Sequence, residues 1–147
     1  PKVELHVHLG GSVTPETAYT LARRHGLDPA AVLPFQDGRY PATYDGFPAF
    51  LRTLIAINGL IRTASDIELV AAAFARGQAA QGIVYSEVIV TAGSHVAAGV
   101  PPRDLWSALR AGFAAAPETR IAIVVDAIRD FGPEGLRETI RQGEVVA

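Results

Sequence analysis

Val3-Glu4-Leu5-His6-Val7-His8-Leu9-Gly10-Gly11, continued by Ser12-Val13-Thr14-Pro15-Glu16, is the stretch that decides the fold. Val3 to Leu9 is short and rich in aliphatic residues, the pattern of a strand covered on both faces, as parallel sheets require. Two glycines interrupt it and a helix follows at once. Thr14 is its N-cap with Pro15 at the first helical position, Ala18, Leu21 and Ala22 share one face, and Gly26 supplies the stop. Residues two apart in a strand project from one face, so His6 and His8 point the same way with Val7 on the other. Two imidazoles so placed can share one divalent ion at about 2.0 to 2.1 Å, but they complete only part of its shell. By itself the His-x-His spacing fits two structural histidines near a strand end equally well, so the flanks must decide between the readings.

Outward from this stretch, residues 27 to 48 dissolve into prolines at positions 29, 34, 41 and 48, with Asp37-Gly38 and Asp45-Gly46 as turn signals, and read as a long irregular excursion. Two helices are predicted next, over 47–58 and 66–81, the second opened by Ser65 with Glu68 three residues on and closed by Gly82. A second strand is predicted over 83–90, a helix over 102–115, a third strand over 121–128 and a helix over 133–142. Gly143 reads as a helix-ending glycine and Glu144-Val145-Val146-Ala147 as the start of a fourth strand. Strands separated by helices imply βαβ units and a parallel sheet. Neither an internal repeat nor a linker divides the 147 residues, so a single domain is expected.

Composition excludes several classes of function. A net charge of -2 from 13 basic and 15 acidic residues creates no one-signed field, which argues against nucleic acid as a partner. With no cysteine there is no disulfide, thiolate metal site or cysteine nucleophile, and any metal must sit on nitrogen and oxygen. The apolar runs at 69–75 and 121–125 fall far short of the roughly 20 residues of a membrane helix, so no membrane partner and a cytoplasmic location are expected. Nothing in the sequence bears on oligomeric state.

The run from Pro1 to Ser12 resembles the opening of the adenosine deaminase family. Thr14-Pro15-Glu16-Thr17 resembles that family's first helix start, Phe47 to Leu54 the helix after its long excursion, Gly82-Ile83-Val84-Tyr85-Ser86-Glu87-Val88 its second barrel strand, and Ile121 to Asp130 its third. The resemblance implies an α/β fold, the N-terminal portion of a (β/α)8 barrel with about three strands plus the start of a fourth and extra helices between strands one and two. It implies one zinc ion with His6 and His8 as ligands, and hydrolytic deamination of a 6-aminopurine nucleoside, adenosine or a close relative, to the 6-oxo product and ammonia. The other ligands and the catalytic groups belong to later strands, so no catalytic residue is expected within this chain. About 250 residues are typical of such a barrel. Residues 1–147 are thus expected to form one incomplete barrel domain, inactive by itself.

Gly10 stands where adenosine-specific members carry an aspartate that contacts the ribose. Glycine leaves room there for a different substituent, which brings adenine or a modified nucleoside such as aminodeoxyfutalosine into consideration; the rival reading is a glycine needed only for the tight turn. By the same resemblance Phe47, Phe50, Leu51 and Leu54 form an apolar lid over the purine, so that Gly10, Phe50 and Leu51 are substrate-binding candidates, although such a stripe is more often core. Glu87 interrupts a buried-looking strand and reads as a structural hydrogen-bonding group. His95 reads as a solvated loop residue, and His25 as a helix C-terminal histidine favoured by the dipole. Asp126, Arg129 and Asp130 are candidates for substrate contact, with a surface ion pair as the simpler account.

His-x-His opens other metal hydrolases as well. Dihydroorotase-like cyclic amidases place an arginine where Gly10 stands, metal-dependent phosphoesterases continue differently, and cytidine-type deaminases need cysteines. A barrel that retains the histidines but binds a purine or a partner without turnover is the rival from another class.

Overall fold

The three predicted strands lie side by side as one parallel sheet in a computed structural model that describes residues 1–144: β1 (Lys2–His8), β2 (Ile83–Val90) and β3 (Arg120–Val125), in that order. The connections are helical. α1 (Pro15–Arg24), α2 (Pro29–Val32), α3 (Gly46–Asn58) and α4 (Ala64–Ala80) join β1 to β2, while α5 (Ala92–Ala97) and α6 (Pro102–Phe113) join β2 to β3. α7 (Gly132–Glu144) follows β3. β3 stops three residues short of the expected end, and the chain leaves the sheet at Asp126. α7 continues through Gly143, which is therefore not its stop; the expected fourth strand over 145–147 lies outside the described residues.

The core fills the space between one face of the sheet and the helices. Val88 and Val90 of β2 meet Leu105 and Leu109 of α6 and Ile67 and Val70 of α4, all essentially inaccessible to water. α4 and α6 cross closely because Gly112 has no side chain: a Cβ there would lie 2.5 Å from Ala71 Cβ and 2.6 Å from the Glu68 carbonyl. The same layer holds a polar chain in which Ser86 Oγ donates to Gln78 Oε1 at 2.5 Å and Gln78 Nε2 donates to Glu4 Oε2 at 2.7 Å. Buried polar groups are tolerable here because each has its partner.

One local expectation changes. α4 is capped by Thr63, not Ser65: Thr63 is extended (φ -132, ψ 162), its hydroxyl accepts from Asp66 N, and the Asp66 carboxylate accepts from Thr63 N in return. Ser65 already lies inside the helix, so its spacing to Glu68 caps nothing. The capping pair of α4 also anchors α1. Asp66 is fully buried and accepts further from Arg62 N, from Arg24 Nη1 at 3.1 Å and from His25 Nε2 at 2.9 Å. Burial by itself would raise the Asp66 pKa, but the bonds from Thr63, the Arg62 backbone, Arg24 and His25 outweigh it and hold the carboxyl below its ordinary value. His25 thus caps α1 as expected and in addition ties it to α4.

The excursion from 27 to 48 carries the short α2, capped by Asp28, and a tight turn at the expected Asp37-Gly38. Both turn residues have positive φ (51 and 74) while Gln36 and Arg39 exchange backbone hydrogen bonds across them.

Candidate active site

β1 is not regular. Glu4 pairs with Ser86 and Val7 with Val88, so β1 uses three steps where β2 uses two, and the extra residue forms a bulge at Leu5-His6 with His6 at φ 64. The left-handed conformation costs a non-glycine residue on the order of 1 kcal/mol. Glu4 faces the helices through Gln78, and Val7 packs into the core on that same side. Under strict alternation His6 and His8 would share the side of Glu4, buried beneath α4. The bulge gives them the opposite face, where both are exposed with ring centroids 5.6 Å apart at 68°. No hydrogen bond engages either ring among the described residues, so their nitrogens are free for a cation. Two ligands fit a divalent ion only as part of a set, and among the described residues no group of three or more such side chains comes together.

Beyond β1 the chain turns sharply through Leu9–Gly11, and a cavity of about 570 Å³ opens at the C-terminal ends of the strands. Its walls include His8, Gly10, Leu51, Asn58, His95 and Asp126. The apolar stripe of α3 is not core. Phe47, Phe50 and Leu51 are 69%, 43% and 37% exposed, and the buried face of this helix is Thr53 and Ile57. Leu51 lines the large cavity, whereas Phe50 packs against Tyr44 and Phe47 and lines a neighbouring one of about 150 Å³; Gly10, Gly11 and Leu54 belong to both. His8, Gly10 and Leu51 therefore come together, with Phe50 to one side. In the smaller cavity Tyr40 donates to the Val13 carbonyl at 2.6 Å, and burial, with Tyr44 adding to it, pushes the Tyr40 phenol up to about 12.

Gly10 has no positive φ, so the turn does not demand glycine there. What glycine leaves room for is a neighbour: a Cβ on residue 10 would lie 1.9 Å from Asn58 Oδ1 and 2.7 Å from its Cγ, so any side chain there would displace the Asn58 carboxamide. The room beside Gly10 is occupied by the Asn58 carboxamide. Asn58 follows Leu51 and Leu54 at helical spacing, a signal in the sequence that marks it as sharing their wall.

His95 sits on α5 and is half-buried, not on a solvated loop. Burial lowers its pKa, only partly opposed by its bond to the Ile61 carbonyl, so the imidazole entering the cavity wall is neutral near neutral pH. Glu87 accepts from the Tyr85 hydroxyl at 3.0 Å. Arg129 and Asp130 are exposed in a short turn, and among the described residues neither they nor Asp126 form an ion pair. Asp126 instead has one buried oxygen, Oδ1, with no hydrogen-bond partner among the described residues. No helix among the described residues is long and apolar enough to cross a membrane.

A family model described as adenosine deaminase matches residues 1–142. The adenine deaminase of Rhizobium meliloti is 34% identical over 143 residues, which cover 94% of this chain and 42% of that protein. The aminodeoxyfutalosine deaminase of Acidothermus cellulolyticus is 34% identical over 149 residues, covering 96% and 40% respectively. The crystal structure of an amidohydrolase from Burkholderia ambifaria with bound zinc superposes at a TM-score of 0.82 with 23% identity, covering 99% of this chain and 40% of that one. The chain spans about two-fifths of the length of the curated relatives it matches. Its sheet and helices are the N-terminal part of a (β/α)8 barrel.

Proposed function

Because the chain belongs to the adenosine deaminase family, we propose that residues 1–147 are one incomplete barrel domain of a zinc-dependent enzyme that hydrolyses the 6-amino group of a purine, releasing ammonia. The observation that carries this reading is the pair of free, exposed imidazoles that the β1 bulge presents beside a cavity at the strand ends. Active sites of this fold lie at that end of the barrel.

His6 and His8 would hold the ion from one side through their ring nitrogens. Zinc, when bound, supplies the Lewis acidity that brings the deprotonation of water toward a pKa of about 7. Leu51, Leu54 and Ile55 on the cavity wall cover a planar apolar ring and exclude bulk water. His95, uncharged, adds no competing positive charge to the site. The remaining ligands and the proton-transfer groups lie on strands later than β3, so the piece alone has no activity.

Ammonia release by the full-length, zinc-loaded protein from adenine, adenosine and aminodeoxyfutalosine tests the proposal. At least one is expected to reach a kcat/KM in the usual enzymatic range, above about 10⁴ M⁻¹s⁻¹. Protein that holds zinc yet releases ammonia from none of them would be the non-catalytic barrel, and the reading would fall.

A further inference from the structure

The Gly10–Asn58 contact carries a second step, which rests on the purine-binding reading of the cavity. Asn58 ends α3, and its Nδ2 donates to the Leu54 carbonyl at 2.8 Å. That bond fixes the orientation of the amide, because a flipped carboxamide would set two acceptors against each other. Oδ1 is therefore the free end. It accepts no hydrogen bond among the described residues, it lies over Gly10 at a distance no side chain could share, and both residues line the large cavity. The two positions act as a unit: glycine at 10 is what allows an acceptor to reach the wall from position 58.

We propose that Asn58 is a specificity-determining residue, and that its Oδ1 accepts a hydrogen bond from a donor on the purine other than the 6-amino group, with Gly10 serving to admit it. The reacting amino group is committed to the histidine end of the cavity, which leaves a ring N–H of a free base or a sugar hydroxyl of a nucleoside as the donor. A site built around such an acceptor discriminates against compounds that leave it unpaired.

The test uses the full-length, zinc-loaded protein and three probes: adenine, which offers the ring N–H, adenosine, which offers hydroxyls, and 9-methyladenine, which offers neither. Asn58→Leu removes the acceptor while keeping the branching of the side chain, and Asn58→Ala serves should the bulkier leucine variant fold poorly. Gly10→Ala, whose backbone alanine can adopt, displaces the carboxamide instead. Each variant should lower kcat/KM about 3- to 10-fold, mainly through KM, for whichever of adenine and adenosine the wild type prefers, and leave 9-methyladenine unchanged. The probe that responds identifies the donor. Gly10→Ala combined with Asn58→Leu should lose no more than either alone, since both delete one group. Equal losses on all three probes, or additive losses in the double variant, would overturn the inference. If the wild type deaminates no purine, the proposed function fails, and equilibrium binding of the same three probes still decides about Asn58: affinity for the preferred probe must fall in Asn58→Leu, and unchanged affinity overturns it.

Discussion

Asp66 and Asp126 both bring carboxylate oxygens out of bulk water, one where α1 meets α4 and the other where the chain leaves β3. At the first place every demand of the charge is met: two backbone N–H groups, the Thr63 hydroxyl, Arg24 and His25 all donate to it. At the second, Oδ1 is buried with no donor among the described residues, in the wall of the cavity that also holds His8 and Gly10. An unpaired buried polar atom costs about 1–3 kcal/mol. Among the described residues the junction meets the demand of its carboxylate, and the end of β3 does not.

The largest test of that contrast is made at the strand ends. His8→Ala in the full-length protein should abolish zinc retention and deamination, a loss beyond the roughly 10- to 100-fold that removal of a ligand's outer partner costs, while the unfolding transition of the metal-free protein stays in place. Metal analysis with calorimetry checks both, and a large loss of metal-free stability would mean that the histidines serve the core.

Next in size is the junction itself. Asp66→Ala should destabilise by about 3 kcal/mol, because it strands several buried donors at once, while zinc content and activity per folded molecule persist. The wild type should show the linked pH dependence. The folded pKa of Asp66 lies below the ordinary 3.8, so its contribution is complete above that value and is lost as pH falls through the lowered one. Denaturant unfolding of wild type and Asp66→Ala from pH 5 downward should converge, and parallel curves would assign the effect to packing.

Asp126→Asn should behave in the opposite sense. Neutralising a carboxylate that lacks a donor should leave stability unchanged or slightly higher, while kcat/KM falls roughly tenfold if the missing donor comes from the substrate or from the rest of the site. Equal destabilisation by Asp66→Asn and Asp126→Asn would erase the distinction. The smallest effect belongs to Thr63→Ala, which removes the cap of α4 together with one of the five donors to Asp66 and should cost about 1 kcal/mol; a similar cost from Ser65→Ala would restore Ser65 as the cap.

Much of this was legible in order along the chain. β2 begins and ends where aliphatic density and Gly82 place it, α1 starts at Thr14-Pro15, and the Asp37-Gly38 turn forms as its residues require. Such signals are local, and backbone sterics or a single hydrogen bond decides them. The misses are non-local. Ser65-Glu68 and Thr63-Asp66 have the same spacing, and what separates them is that Asp66 is also wanted by Arg24 and His25, about 40 residues earlier. His95 reads as a loop residue because nothing near it in sequence shows that it joins Ile61 in the wall of the cavity. The α3 stripe has the periodicity of a core helix, yet Phe47 and Phe50 are exposed, since only the packing of α3 determines which of its faces turns inward.

The first strand divides the two kinds of information most sharply. Sequence alone put His6 and His8 on one face, because alternation is a property of any extended chain. It also supplied the family, through the order of motifs around them. It could not say which face, since that depends on one extra residue in the pairing of β1 with β2, and a one-residue shift exchanges the two sides of a strand. Tertiary structure made that choice, holding His6 in a left-handed conformation so that Glu4 and Val7 both turn toward the helices and the imidazoles do not. It made the choice at Gly10 too, where the sequence shows an empty position and the fold fills it with Asn58.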